Sequence, residues 1–222
     1  VVDEAGQVLE IYGQHLAKYA AQLLLAGDVA QLPGHSYLPD EHFPLMRAAS
    51  TSITPVFLNA QYRQNEGLAK LNSCLSYNGM VHDAISNILP VATTLQFILV
   101  LFEPDRQEKE SSPSKRSFEL ASALWHEFGF KKDKARIITA YAKQKKLYNR
   151  DGRYTVCEVI DAVQGIEVDD TIIDLGRNHG VGFMRDPRRI NVALTRARHR
   201  LILIVHEGLG PVSYTHLRAH ET

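Results

Sequence analysis

A parallel β-sheet covered by helices on both faces is the fold class that this 222-residue sequence predicts. Two observations carry it. Apolar runs of strand length, such as FILVLF and LILIV, alternate along the chain with segments of helical spacing. Strands that alternate with helices form parallel sheets buried from both sides. The 45% hydrophobic content is enough for a core of that size, and nothing in the chain has the composition of a disordered protein.

The elements follow in order. Val1-Val2 reads as the end of a strand, and residues 21–28 (AQLLLAGD) as a strand ending at Gly27-Asp28. Residues 66–78 have helical spacing, with Leu68, Leu71 and Leu75 on one stripe. A buried strand over 95–104 closes at Pro104, and the charged, serine-rich stretch 106–115 reads as a loop. Residues 117–128 form an amphipathic helix with Phe118, Ala121, Leu124, Trp125 and Phe128 facing inward. Next come a strand at 135–141, a basic helix at 143–150, and strands at 155–163 and 169–175. A helix over 188–198 and a strand over 201–205 end the ordered part. The stretch 207–222 fits none of this: PVSYTHLRAHET has no periodicity and reads as a non-native or disordered tail.

Composition excludes several function classes. Twenty-five basic residues balance twenty-five acidic ones, so any case for nucleic-acid binding rests on local patches. The two cysteines, Cys74 and Cys157, form no CxxC or Cys/His cluster. That argues against structural zinc and a disulfide framework, and for a reducing intracellular compartment, cytoplasm or nucleus. No apolar run has the length of a membrane span, and no signal-peptide pattern is present. The ten histidines are scattered and receive no role.

Several constellations bear chemistry. Asp3-Glu4 follows two valines at a strand end, where an aspartate can hold Mg²⁺ through its water shell and a glutamate can orient an attacking water. The same pair reads equally as a solvated turn. GDVAQLPG (27–34) offers Asp28 and Gln31 after a second apolar run, or is an ordinary turn. In LNAQYRQN (58–65), Arg63 follows a short apolar strand and could reach a phosphate, or sits exposed at a helix start. In DAVQGIEVDDTII (161–173), Gly165 permits a tight turn flanked by Gln164 and Glu167, a carboxylate suited to ribose hydroxyls; a plain turn is the alternative. INVALTRARHRLILI (190–204) places Arg196 and Arg198 where a helix gives way to a buried strand. A guanidinium at that rim can neutralise the charge of a transferred phosphoryl group. Between 131 and 153 lie nine basic residues with Tyr141 and Tyr148 interleaved, which is either a backbone-tracking groove or a solvated face.

In succession, DEAGQ, GDVAQLP, QYR, AYxxQ (140–144), VQGxE and NVALTRAR resemble the C-terminal motif series of superfamily 1 helicases. The stretch 182–204 is similar above all to the branch that includes the helicase of nonsense-mediated mRNA decay. The resemblance runs from Val1 to about Val205. It implies two RecA-like P-loop NTPase domains, the first partial (1–55) and the second near complete (56–206), with ATP and Mg²⁺ as ligands. It further implies movement on single-stranded RNA or DNA, with no membrane and no oligomer indicated. By resemblance, Asp3 would serve Mg²⁺, Glu4 would activate water, and Gln31 would sense the γ-phosphate. Arg63 and Arg196 would act as arginine fingers. Glu167 would contact the nucleotide, with Gln164 and Gly165 linking it to the nucleic-acid path. Tyr141, Lys143, Thr155 and Gln164 are the candidate nucleic-acid contacts.

The sequence departs from the family in three places. Gln64-Asn65 stand where Met-His is more usual, and Ile166 stands where arginine is frequent. No GxxxxGK[ST] phosphate loop is present. The chain is therefore expected to be a fragment that hydrolyses ATP poorly alone. The alternative is an inactive helicase-like module that binds nucleic acid or a protein partner.

Overall fold

The computed structural model describes residues 1–34, 44–84, 97–103, 105, 112–152, 157–176 and 182–207. The tail beyond 207 and Thr155 lie outside the described residues. The chain divides into two compact units, Val1–Leu58 and Asn59–Thr222. Among the described residues no helix is long and apolar enough to cross a membrane.

Among its described residues the first unit holds two short helices, α1 (Glu10–Ala17) and α2 (Leu45–Ser50). Gly13 sits mid-helix in α1, where a Cβ would overlap the Leu45 side chain; its absence lets α1 lie close against α2. The two strands expected here shrink to one parallel bridge, Val2 with Leu25. The pairing stops because the chain turns at once: Glu4 takes a left-handed backbone (φ 51°), and Gln7 N–H donates to the Glu4 carbonyl at 2.8 Å.

The second unit is built on a five-stranded, all-parallel sheet. Its strands are β3 (Phe97–Phe102), β4 (Ala135–Thr139), β5 (Cys157–Val159), β6 (Val168–Asp174) and β7 (Ala197–His206), in the order β3-β7-β6-β4-β5. A separate parallel pair joins β1 (Ala60–Gln61) to β2 (His82–Asp83). The helices are α3 (Glu66–Ser76), α4 (Lys115–Glu127), α5 (Ala142–Asp151) and α6 (Pro187–Leu194).

Side chains alternate across a strand, so each sheet face carries its own core. On one face Ile137, Ile172, Ile202 and Ile204 pack with Ala121 and Trp125 of α4 and Tyr148 of α5. Ile138, Ile173 and Leu201, one residue out of step, are buried on the other side, where α3 packs on β7 and α6. Side-chain caps fix three helix starts: Asn65 accepts from Leu68 N–H, Ser114 from Ser117 N–H, and Asp186 from Arg188 N–H.

Two boundaries differ from the sequence expectation. The strand over 155–163 ends at Val159 and passes into a single 3₁₀ turn, Ile160–Ala162. The last helix ends at Leu194 rather than 198, because the Thr195 hydroxyl bonds back to the carbonyls of Asn191 and Val192. The Arg196 carbonyl already accepts from Val168 N–H, which starts the β6–β7 pairing. Arg196 therefore lies in the helix-to-strand turn, and Arg198 lies on the strand.

Candidate functional site

In the first unit, two turns carry the polar residues. Asp3 Oδ1 accepts from Glu4 N–H at 2.9 Å, and Glu4 Oε2 accepts from Gln7 Nε2 at 3.2 Å. Asp28 Oδ1 accepts from Ala30 N–H at 2.8 Å while Oδ2 accepts from Gln31 Nε2 at 3.0 Å. Gly6 and Gly27 bring these turns together: a Cβ on Gly6 would stand 2.8 Å from the Asp28 carbonyl, and one on Gly27 2.7 Å from Gly6 N. The left-handed backbone at Glu4 is uncommon for a residue with a side chain and persists only where the surroundings impose it. Among the described residues no group of three or more acidic, histidine or cysteine side chains could cage a metal. Asp3 and Glu4 offer two carboxylates at one turn, and one or two carboxylates beside its own waters and substrate phosphates is what Mg²⁺ commonly takes.

In the second unit the polar residues gather at the amino ends of β6 and β7. Arg63 Nε donates to Glu167 Oε1 at 2.7 Å, and Arg198 Nη2 donates to Glu167 Oε2 at 2.7 Å. One carboxylate thus bridges two guanidinium groups, with side-chain exposures of 34% for Arg63 and 46% for Arg198. Hydrogen bonding from Arg198, aided by Arg63, holds the Glu167 carboxyl below its ordinary value despite some desolvation.

Arg196 behaves differently. It is 1% exposed. Its Nε donates to the Val192 carbonyl at 2.8 Å, and Nη1 reaches the carbonyls of Val163 and Ile166, both at 3.2 Å. Val192 lies in the last turn of α6 and Val163 caps the 3₁₀ turn, so the cation sits where helix carbonyls converge. The expectation of two arginines together at the rim is corrected accordingly: Arg198 is at the rim, and Arg196 is beneath it. Gly165, with φ 83°, makes the turn that Arg196 grips; only its backbone freedom is required, since a Cβ there would meet nothing. Gln164, half-buried, shares that turn.

Sequence reasoning passed over the residues that fix this arrangement. Gln61 Oε1 accepts from the backbone N–H of Arg63 (2.9 Å) and of Gln64 (2.7 Å). Gln64, 4% exposed, donates from Nε2 to the carbonyls of Leu194 (2.8 Å) and Ala197 (3.1 Å). Asn65 donates from its backbone to the Arg198 carbonyl (3.0 Å) and from Nδ2 to that of His199 (2.7 Å). The Gln64-Asn65 departure from Met-His therefore stitches the QYR turn to the TRAR segment. Its only signal in the sequence was a run of amide side chains at a turn.

Tyr141 and Lys143 stand elsewhere. Tyr141 is the N-cap of α5, beyond the carboxyl end of β4, so it and exposed Lys143 lie at the sheet edge opposite the arginine cluster. Gln144 of the same motif is buried in a polar network. Asp174 Oδ2 accepts from Tyr148 Oη (2.6 Å), Gln144 Nε2 (2.9 Å) and Ser117 Oγ (3.2 Å), and Oδ1 accepts from Gly176 N–H (2.7 Å).

The second unit is a RecA-like parallel sheet with an arginine–carboxylate cluster at the start of its central strands, the fold of the helicase class. The AAA domain family model matches residues 43–208, and the chain belongs to that family, in the superfamily 1 branch of the nonsense-mediated decay helicases. It is 26% identical over 240 residues to an uncharacterized ATP-dependent helicase of Methanocaldococcus jannaschii, covering 94% of this chain and 36% of that protein. It is 27% identical to the ATP-dependent helicase NAM7 of Saccharomyces cerevisiae, covering 85% and 23%, and 27% identical to the regulator of nonsense transcripts 1 homolog of Arabidopsis thaliana, covering 79% and 17%. The chain thus spans about a third or less of these relatives. An arterivirus nonstructural protein 10 helicase shares the fold with a TM-score of 0.55 at 16% identity, over 96% of this chain and 40% of that one.

Proposed function

We propose that this chain is the motor portion of an ATP-dependent helicase or translocase that moves on single-stranded RNA or DNA inside the cell, in cytoplasm or nucleus. The observation that carries the reading is the part-exposed guanidinium of Arg63, paired with Glu167 and carried on a turn whose backbone Gln61 and Gln64 stitch in place, in a chain whose relatives are ATP-dependent helicases. Both cysteines are free thiols, in keeping with a reducing compartment.

In this reading Asp3 holds the magnesium, which would neutralise phosphate charge. Glu4 orients water, and Gln31, tethered to Asp28, reports the γ-phosphate. Arg63 stabilises the charge that develops on the transferred phosphoryl group. Arg196 is a second candidate for that role, and would reach a phosphate only by giving up the carbonyls of Val163, Ile166 and Val192. Glu167 and Gly165 serve the nucleotide, and Gln164 couples that turn to the strand. The domains are assigned as a partial first RecA-like domain and a near-complete second one.

Tyr141 and Lys143, with Thr155, are the proposed nucleic-acid contacts. A lysine in the first turn of a helix works against the helix dipole, as Lys143 does in α5, and a phosphate backbone there would offset that cost. The test is ATP hydrolysis by the longest natural polypeptide that contains these residues, with and without single-stranded RNA or DNA. Stimulated turnover is expected; turnover indifferent to either strand would refute the reading.

A further inference from the structure

We propose that Arg63 and Arg198 form a polyphosphate site whose built-in occupant is the Glu167 carboxylate, so that an incoming triphosphate binds by displacing it. The proposal deepens the nucleotide reading above and rests on it for its biological meaning. Arg198 enters as a ligand of the phosphate, a role that the motif series gives only to Arg63 and Arg196.

The geometry is that of an anion held in a fork. Each Glu167 oxygen takes one guanidinium: Oε1 takes Arg63 and Oε2 takes Arg198. Two oxygens on one centre, each meeting a separate arginine, is also how a phosphoryl group presents itself to a pair of arginines. The trio keeps a formal charge of plus one. A carboxylate therefore fills the site without satisfying it, and a more highly charged anion can compete.

The backbones that carry the two arginines are held without Glu167, and the Arg63 guanidinium also reaches the Thr195 carbonyl from Nη1 at 3.4 Å. Arg63 is set by Gln61, which accepts from its backbone N–H, and by the adjoining Gln64 clamp on Leu194 and Ala197. Arg198 is a residue of β7, its carbonyl taken by Asn65 N–H. The neighbouring Arg200 shows the contrast. Its partner Asp170 grips one guanidinium with both oxygens, at 2.7 and 2.6 Å, and Arg200 also stacks over Phe130, 4.6 Å from the ring centroid. That pair is a closed structural unit with Asp170 at 9% exposure, whereas Glu167 is 30% exposed and shared. Exposed ion pairs contribute little stability, so exchanging Glu167 for another anion costs the fold little.

The test is calorimetric titration of the 222-residue chain with inorganic triphosphate. Glu167→Gln, an isosteric change, is expected to tighten binding by about tenfold or more, since it removes the competing charge and leaves both arginines in place. Glu127→Gln, the same charge change on exposed α4 surface, is expected to leave affinity unchanged. In the Glu167→Gln background, Arg63→Ala and Arg198→Ala are each expected to abolish the gain. Circular dichroism checks each fold, and Glu167→Ala repeats the experiment if the glutamine variant misfolds. No tightening, an equal gain with Glu127→Gln, or a gain that survives Arg198→Ala overturns the proposal. Tightening without strand-stimulated ATP hydrolysis in the longer polypeptide would leave the site standing and sink the helicase reading. Stimulated hydrolysis without tightening would sink the site alone.

Discussion

The guanidinium of Arg196 donates to the Val163 carbonyl at 3.2 Å, across thirty-three residues of chain, and pins the Gly165 turn against the end of α6. A buried arginine so placed is part of the fold as well as a candidate for catalysis. Arg196→Ala is expected to cost roughly 3 kcal/mol, because removing the donor leaves buried carbonyls unsatisfied at about 1–3 kcal/mol each. Arg63→Ala, at a part-exposed site, is expected to cost under about 1 kcal/mol. Urea unfolding of the two variants separates them. Equal losses would contradict the burial contrast, and only Arg63 gives an activity test free of a folding defect.

Gln64→Met puts back the side chain more usual in the family and removes both bonds to the Leu194 and Ala197 carbonyls. With Gln64 4% exposed, the loss is expected to be about 1–3 kcal/mol in chemical denaturation. A neutral substitution would show that the amide stitching is dispensable.

Much of the sheet was legible in the sequence because its strands are largely continuous apolar runs: β3, β4, β6 and β7 fall inside the expected segments or within a few residues of them. α1 was not, since Gly13 interrupts its pattern and no side chain caps it. The end of α6 was hidden because Thr195 closes the helix locally on Asn191 and Val192 while Arg196 turns away to the distant carbonyls of Val163 and Ile166. At the site, Arg63 and Glu167 were recognisable by type and motif. That one carboxylate would join Arg63 to Arg198, with Arg196 buried below, depends on pairings between separate segments, 104 residues apart for Arg63 and Glu167, 31 for Arg198 and Glu167 and 33 for Arg196 and Val163.

Asp174 and Glu167, both in the second unit, should titrate in opposite directions. Burial raises the Asp174 carboxyl, with the bonds from Tyr148, Gly176, Gln144 and Ser117 opposing it, while Arg198 and Arg63 lower Glu167. For Asp174 the folded state binds the proton more tightly, so its contribution to stability falls as pH rises from its ordinary value to the raised one. For Glu167 the contribution is full above its ordinary value and is lost as pH falls through the lowered one. Carboxyl ¹³C titration is expected to find Asp174 above, and Glu167 below, their unfolded counterparts. The same direction for both would contradict the assigned causes.

The thiols give an independent check on burial. Cys157 lies in β5 at 2% exposure, and burial and Asp174 raise its pKa, whereas Cys74 is exposed. A thiol reagent should modify one cysteine in the native chain, Cys74, and both in denaturant. Rapid native modification of Cys157 would show that the face packed by α5 is open.

The central claim is that the part-exposed guanidinium of Arg63 serves the transferred phosphoryl group. Its most direct test is ATP turnover by the longest natural polypeptide containing this chain, with saturating single strand, comparing wild type with Arg63→Ala. A fall of about 10³-fold or more is predicted, the range an arginine finger contributes, with the fold intact by circular dichroism. Turnover unchanged in the variant would contradict the account.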